Sequence, residues 1–490
     1  MTSSKSTKRA LITSALAILM CAAMLIGTTF AWFTDTASTG VNKIVSGNLK
    51  VDIIGADSDS HIEKLNFTKA ATTDAEAGAE ILWEPGCRYL TEGFRIANKG
   101  NLALKWKAQV NTGTTAANEG NFDLLDVIDF YLVTKAADGT ETETALDEFT
   151  GNLKKTETSD VYYIKGVMQT TAGNEYQGLS IDGIGITVVA TQDTVESDSF
   201  DNQYDKDAEY PILVTTGDEL QAIVSNATAP VNIVLTNSIT TNNFVIPEDK
   251  DVTLDLNGRT VTNAGSHTIL NKGHLTLTDS SADKSGQIIS LKGNTAALRN
   301  GDNAVCVVEG GTISRDGANG NTWHVVENFG KMTFNGGKVV LKNGNGFAIT
   351  NGWNYFDPGA STTHAVMEIN ALELDTDSSG IKNCRYGDLT VNDVTVTSTG
   401  YWALSNDYLG TAVINGGTLT SKSFKAVSNG AAMTVNGGTF DGTQGFFVQS
   451  YATSTVLNGG TFANMNVDAL SSYVGTGHTA QQSGTSVIIK

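Results

Sequence analysis

At 490 residues the chain is long enough for two or three domains, each with its own core. Its 52 acidic residues outnumber 32 basic ones, a net charge of −20. Such a surface repels phosphate backbones and anionic lipid, which excludes nucleic-acid and membrane-surface binding.

The first predicted element is an export signal. Lys5, Lys8 and Arg9 precede an apolar run from Ala10 to Ile26, and small residues follow up to Ala31. The run is short for a comfortable membrane span, and nothing after Phe33 reads as a stop-transfer flank. Cleavage is expected between Ala31 and Trp32, leaving a secreted protein without a stable membrane anchor. Of four cysteines, Cys21 leaves with residues 1–31. The remaining Cys87, Cys306 and Cys384 are an odd set, expected as free buried thiols and not as a disulfide framework.

Residues 32–197 read as strands separated by polar turns. Leu49, Val51 and Ile53 alternate with polar residues, as do Phe94 and Ile96, and Leu102, Leu104 and Trp106. The more continuous apolar runs Ile128–Val133 and Ile184–Val189 predict central, doubly covered strands. This pattern predicts a β-sandwich. The composition then turns acidic and polar, and 198–209 is expected to be a linker.

Several motifs in this half carry a resemblance. Gly27-Thr-Thr-Phe-Ala-Trp-Phe-Thr-Asp35, Ser46-Gly-Asn-Leu-Lys-Val51, Trp83-Glu-Pro-Gly86, Phe94-Arg-Ile-Ala-Asn-Lys-Gly-Asn-Leu102 and Ile186-Thr-Val-Val-Ala-Thr-Gln192 resemble the TasA/camelysin family of Gram-positive exported proteins. That resemblance covers roughly residues 1–205 and implies a jelly-roll β-sandwich, processing by a SipW-type signal peptidase, and self-association into extracellular matrix fibres such as those of a biofilm. Some relatives carry a metallo-endopeptidase label. The first domain holds only His61 as a candidate imidazole ligand, in Asp57-Ser-Asp-Ser-His61, and no HExxH or CxxC spacing occurs. No metal or catalytic residue is therefore assigned.

From residue 210 to 490 the chain repeats itself. Val308-Glu-Gly-Gly-Thr-Ile313, Phe334-Asn-Gly-Gly-Lys-Val339, Ile414-Asn-Gly-Gly-Thr-Leu419, Val435-Asn-Gly-Gly-Thr-Phe440 and Leu457-Asn-Gly-Gly-Thr-Phe462 are one motif, with degenerate copies at Ile369–Leu374 and Val391–Val396. The period is near 22 residues, with one gap of 35. A second element keeps the same beat and ends in Asn300, Asn328, Asn351, Asn383, Asn406 and Asn429. Each unit predicts strand, Asn turn, strand, Gly-Gly turn, strand, which is one coil of a parallel β-helix. The asparagines are expected to stack in a hydrogen-bonded ladder, and Asn and Gly to supply left-handed corners. Thr216-Gly-Asp-Glu219 predicts a short helix that caps the first coil, and His478–Lys490 a final strand pair. The domain resembles the right-handed, three-faced, pectate-lyase-like β-helix of bacterial adhesins and polysaccharide enzymes, which implies shape and not chemistry.

Candidate sites follow from the irregularities. The long gap places an inserted loop at Gly352–His364, where Trp353, Asn354, Tyr355, Phe356 and Asp357 are residue types that stack on sugar rings and bind their hydroxyls; alternatively the aromatics fold back over apolar coil surface. Asp375 and Asp377, two apart, form either an acidic patch on one strand face or part of a turn. Asp388, Asp393 and Arg385 follow on later coils, and Asp375-Thr-Asp-Ser-Ser-Gly380 is a weak candidate for calcium. The expected function is a secreted matrix or cell-surface adhesin, with the sandwich for self-association and the β-helix for a glycan or surface partner. The alternative is a secreted polysaccharide lyase or hydrolase. Without an LPxTG-like motif or a C-terminal apolar span, retention at the surface is expected to rest on assembly or non-covalent contacts.

Overall fold

The computed structural model describes residues 48–490 except 63–64, 69–80, 82, 112–113, 116–121, 147–148, 180, 183–184, 194–208, 319–322 and 354–362. The expected signal with Ala31 and Trp32, and nearly all of the expected linker, lie outside the described residues.

The N-terminal part is antiparallel. One sheet is built from Val51–Gly55, Phe67–Thr68, Arg88–Thr91, Phe94–Asn98, Ile128–Lys135, Glu141–Ala145 and Tyr162–Met168. A second has Gly185–Gln192, Leu104–Asn111 and Phe149–Leu153 side by side. Phe94, Ile96, Leu132 and Ile164 of the first sheet meet Leu104, Trp106, Ala108 and Leu153 of the second in one core. Trp106 is 1% exposed and meets Phe149 edge-on. Its register partner is Gly151, where a Cβ would stand 2.7 Å from the indole, so the missing side chain makes room for the ring. Among the described residues the second sheet corrects one expectation. Gly185–Gln192 is its edge, bonded only to Leu104–Asn111, and the latter strand is the central one. Both faces of the strand are nonetheless covered: Ile186, Val188 and Ala190 pack on the core, while Thr187 and Val189 on the other face are each 5% exposed.

The C-terminal part is a solenoid of three sheets with 11, 12 and 9 strands, parallel throughout except for the last two strands of the second sheet. One coil is Thr411–Ile414 on the first face, Thr418–Ser421 on the second and Lys425–Asn429 on the third. In-register columns fill the interior: Ile369, Val391, Ile414 and Val435 on the first face, Leu374, Val396, Leu419 and Phe440 on the second, Ile349, Ile381, Leu404 and Val427 on the third. All of these are at most 2% exposed, and they belong to one continuous core. Outward neighbours alternate with them, so each strand's period of two sets what is buried.

The corners divide the work differently from the sequence expectation. Between the first and second faces the second glycine of Asn-Gly-Gly alone adopts positive φ, +94° at Gly417 and +109° at Gly438. At Gly417 a Cβ would also stand 2.6 Å from the Val394 carbonyl oxygen. The asparagines of this motif and of the ladder do not take left-handed angles, and the fold uses their amides; other solenoid turns do place asparagine at positive φ, as at Asn243, Asn257, Asn303 and Asn343.

Both ends are covered. Helix α1, Gly217–Asn226, is capped by the Thr216 hydroxyl, which accepts the Glu219 N–H at 3.2 Å, and it buries Leu220 and Val224 against the first coil. The parallel coils end at Phe462, and the remainder closes as an antiparallel hairpin: Ser486–Ile489 pairs with Gly460–Phe462 and then with Ala480–Ser483. Among the described residues no helix is long and apolar enough to cross a membrane.

Candidate functional site

The corner between the third and first faces carries a ladder of asparagines in wholly buried positions. Asn271, Asn300, Asn328, Asn351, Asn383 and Asn406 each donate from Nδ2 to the next residue's Oδ1 at 2.7–2.9 Å, ending at Asn429. Asn271 is one rung more than the repeat motif revealed. At the Asn-Gly-Gly corner a second ladder runs along the rod through Asn370, Asn392, Asn415, Asn436 and Asn458, at 2.7–2.9 Å but nearer to solvent. Both ladders fix the rod and leave no group over for chemistry.

The third face differs from the other two. Its outward column reads, in register, Arg299, Glu327, Thr350, Lys382, Ser405 and Ser428. Glu327 is only 4% exposed, and its carboxylate accepts from Arg299 at 3.1 Å and from the Trp323 indole at 3.0 Å. Two half-buried imidazoles stand near this acid. Burial pushes His267 and His324 below the ordinary histidine range, and Glu327 partly opposes the shift. Arg315, at the neighbouring corner, donates to the Ser290 hydroxyl at 2.7 Å and is pushed by burial down to about 10.

Further along, aromatic side chains rise on both sides of the same face and enclose a cleft of about 180 Å³. Phe347 and Trp402 stand two coils apart with ring planes 6° apart and centroids 6.5 Å apart; the strand position between them, Ser379, is small enough to let them approach. Tyr451 forms the opposite wall, 54% exposed, lying over Gly430, where a Cβ would come 2.7 Å from the ring. The floor holds Ser405, Ser428 and the ion pair Lys382–Asp407 at 3.2 Å. Lys382 also stands 5.3 Å from the Phe347 centroid. Burial, and then the Asp407 carboxylate, raise the Tyr451 phenol, which is therefore a neutral hydroxyl at physiological pH. A larger hollow of about 790 Å³ lies in the N-terminal domain, lined by aromatic side chains and by Asn174, Gln177 and Glu84, the last its one charged lining residue among those described. The cleft on the third face adds a cation paired with an anion to its aromatic surface.

The sequence-derived candidates are scattered around it. Trp353 folds back onto Phe329, centroids 4.4 Å apart, and its backbone N–H donates to the Arg385 carbonyl at 3.0 Å. Asn354, Tyr355, Phe356 and Asp357 lie outside the described residues. Asp375 and Asp377 serve separate purposes: Asp375 pairs with Lys342 at 2.7 Å, while Asp377 accepts the Asn343 N–H and belongs to the turn after that strand. Asp375 is on the second face and Asp388 on the first, where Asp388 meets His364 at 2.8 Å. These acids do not converge. Among the described residues no group of three or more His, Cys, Asp or Glu side chains is placed to hold a metal ion.

Lys382, Trp402, Asp407 and Tyr451 escaped the sequence reading because each is single in its own coil. A signal was present, however. Phe347, Trp402 and Lys425 all stand four residues ahead of a ladder asparagine, while Lys382 directly precedes one and Asp407 directly follows one. No protein-family model matches this chain, and neither does any curated protein or solved structure.

Proposed function

We propose that this is an exported matrix or cell-surface protein, with the N-terminal β domain for self-association and the solenoid as a rigid display for a glycan-binding face. The observation that carries the reading is the cleft between Trp402 and Tyr451, with the Lys382–Asp407 pair at its floor. Aromatic faces stack on the C–H faces of sugars, and paired polar groups fix their hydroxyls. The leader, the TasA-like motifs and the pectate-lyase-like repeat support secretion and a surface role. A segment such as Trp32–Lys43 is suited to add a strand to a neighbouring copy, a contact that does not close on itself and so yields filaments.

Binding suits the cleft better than hydrolysis. Paired-carboxylate glycosidases need two acids about 5–10 Å apart, and Asp407 is the one carboxylate among the described residues lining the cleft. The test has two arms. Secreted protein is expected to retain on polysaccharide-coated surfaces, with Trp402→Ala releasing it, and to form fibres in electron microscopy that are lost on removing residues 32–43. Polysaccharide retention indifferent to Trp402→Ala, or assembly unaffected by the truncation, would sink the corresponding half of the proposal.

A further inference from the structure

We infer that the cleft on the third face is a one-ring subsite for an uncharged hexopyranose, held through two adjacent hydroxyls by Lys382 and Asp407. The inference rests on the glycan-binding reading above and names the class of sugar.

Size sets the first limit. About 180 Å³ is below the roughly 300–1,000 Å³ of pockets that engulf drug-sized ligands, so the cleft takes a single ring from a chain that otherwise lies outside it. Charge sets the second. A cationic ligand, such as an amino sugar or a quaternary ammonium, would be drawn to an aromatic cage. Here the Phe347 ring already has the Lys382 ammonium 5.3 Å from its centroid, and that fixed cation repels a second one. An anionic sugar meets the opposite obstacle, because the Asp407 carboxylate is 3.2 Å from the same ammonium. Lys425, the next cation along the face, lies 3.1 Å from the Phe447 centroid and is engaged there. The paired charges at the floor sum to zero, so neither sign of ligand gains.

What the pair offers is a donor and an acceptor side by side. An ammonium has only donors and a carboxylate only acceptors, so two neighbouring groups that are each both donor and acceptor satisfy them together. Vicinal hydroxyls on a pyranose are such groups, with oxygens about as far apart as the two floor atoms are from each other. The side chains of Lys382 and Asp407 are 21% and 35% exposed, so the pair is half sheltered, which strengthens these charge-assisted bonds without burying either ion completely. Trp402 and Tyr451 then flank the ring on either side, and Gly430 keeps the tyrosine down.

The test uses the whole secreted chain and calorimetric or NMR titration with methyl pyranosides of glucose, galactose and mannose. Each is compared with its matching methyl uronoside and 2-amino-2-deoxy glycoside, and folding of every variant is checked by its thermal midpoint. At least one neutral glycoside is expected to bind tenfold or more tightly than its acidic and amino counterparts. Lys382→Met and Asp407→Asn are each expected to weaken it tenfold or more, and so is loss of one of two adjacent hydroxyls from the sugar. Binding that Trp402→Ala abolishes but neither floor substitution changes by more than twofold would overturn the diol assignment and leave the glycan-binding face intact. Preference for the uronoside or amino glycoside would do the same. Absence of binding by every glycoside and by whole polysaccharide would overturn both.

Discussion

Asn383 donates its side-chain amide to the Oδ1 of Asn406, one coil further along, across 2.8 Å, with both side chains shut away from water. Asn406 in turn donates to Asn429 at 2.9 Å and to the Ala432 carbonyl at 2.8 Å. Replacing Asn406 with leucine therefore leaves polar groups on two adjacent coils short of a partner. The expected loss is about 1–3 kcal/mol. Asn415 stands in the exposed ladder at the opposite corner and bonds Asn392 in the same way, at 2.7 Å. Water replaces what it loses, so Asn415→Ala is expected to cost no more than about 0.5 kcal/mol. Denaturant unfolding of the two variants checks the contrast; equal losses would refute the role assigned to burial.

The first strand of the third face has no coil before it, yet its backbone is not bare. Gln221 on α1 donates to the Val245 carbonyl at 3.0 Å and accepts the Val245 N–H at 2.9 Å, so one side-chain amide stands in for the missing strand. Gln221→Ala is expected to open that edge, costing about 1–2 kcal/mol and raising concentration-dependent association through the freed strand. Light scattering beside the unfolding curve separates the two effects.

Stability should depend on pH through His267 and His324. Burial lowers both, so the unfolded chain binds protons before the folded one does. Their contribution is complete above the unfolded value of about 6.5 and is lost progressively as pH falls from there through the lowered folded values. The thermal midpoint is expected to drop between about pH 7.5 and 5.5. His324→Gln should flatten that slope while lowering the midpoint at the upper end, because His324 Nδ1 accepts the Phe347 N–H at 3.2 Å. An unchanged slope in this variant would rule out His324 as a contributor.

Thiol reactivity should sort the cysteines by burial. Cys306 and Cys384 are fully enclosed, and burial pushes both thiols up to about 12. Cys87 is partly exposed. Of these three cysteines, a maleimide at neutral pH is expected to modify Cys87 alone in the native protein and all three after denaturation. Mass spectrometry of peptides from native protein reads this directly, and early labelling of Cys384 would show that the solenoid opens there.

Much of the solenoid was legible in the chain because its information is local. An alternating strand such as Thr418–Ser421, a Gly417 that alone fits a positive φ, and an asparagine at the same place in each coil recur about every 22 residues, and stacking identical units adds little that one unit does not already specify. The ladder could be listed rung by rung from the sequence, apart from Asn271. The centre of the second N-terminal sheet could not. Whether Leu104–Asn111 or Gly185–Gln192 is central depends on which strands pair across long stretches of chain, and period-two alternation is silent on that. The cleft belongs to the same class. Lys382, Trp402, Asp407 and Tyr451 are spread over 70 residues of sequence and are unremarkable one at a time. Coil-to-coil register sets their strands a few ångströms apart, and a small Ser379 and a bare Gly430 let the rings close on them. The sequence by itself determined the repeating strand-and-corner geometry, because each coil obeys the same local rules. Only the tertiary structure decided where a binding site stands, because a site is made by side chains that the winding brings together and that no local rule connects.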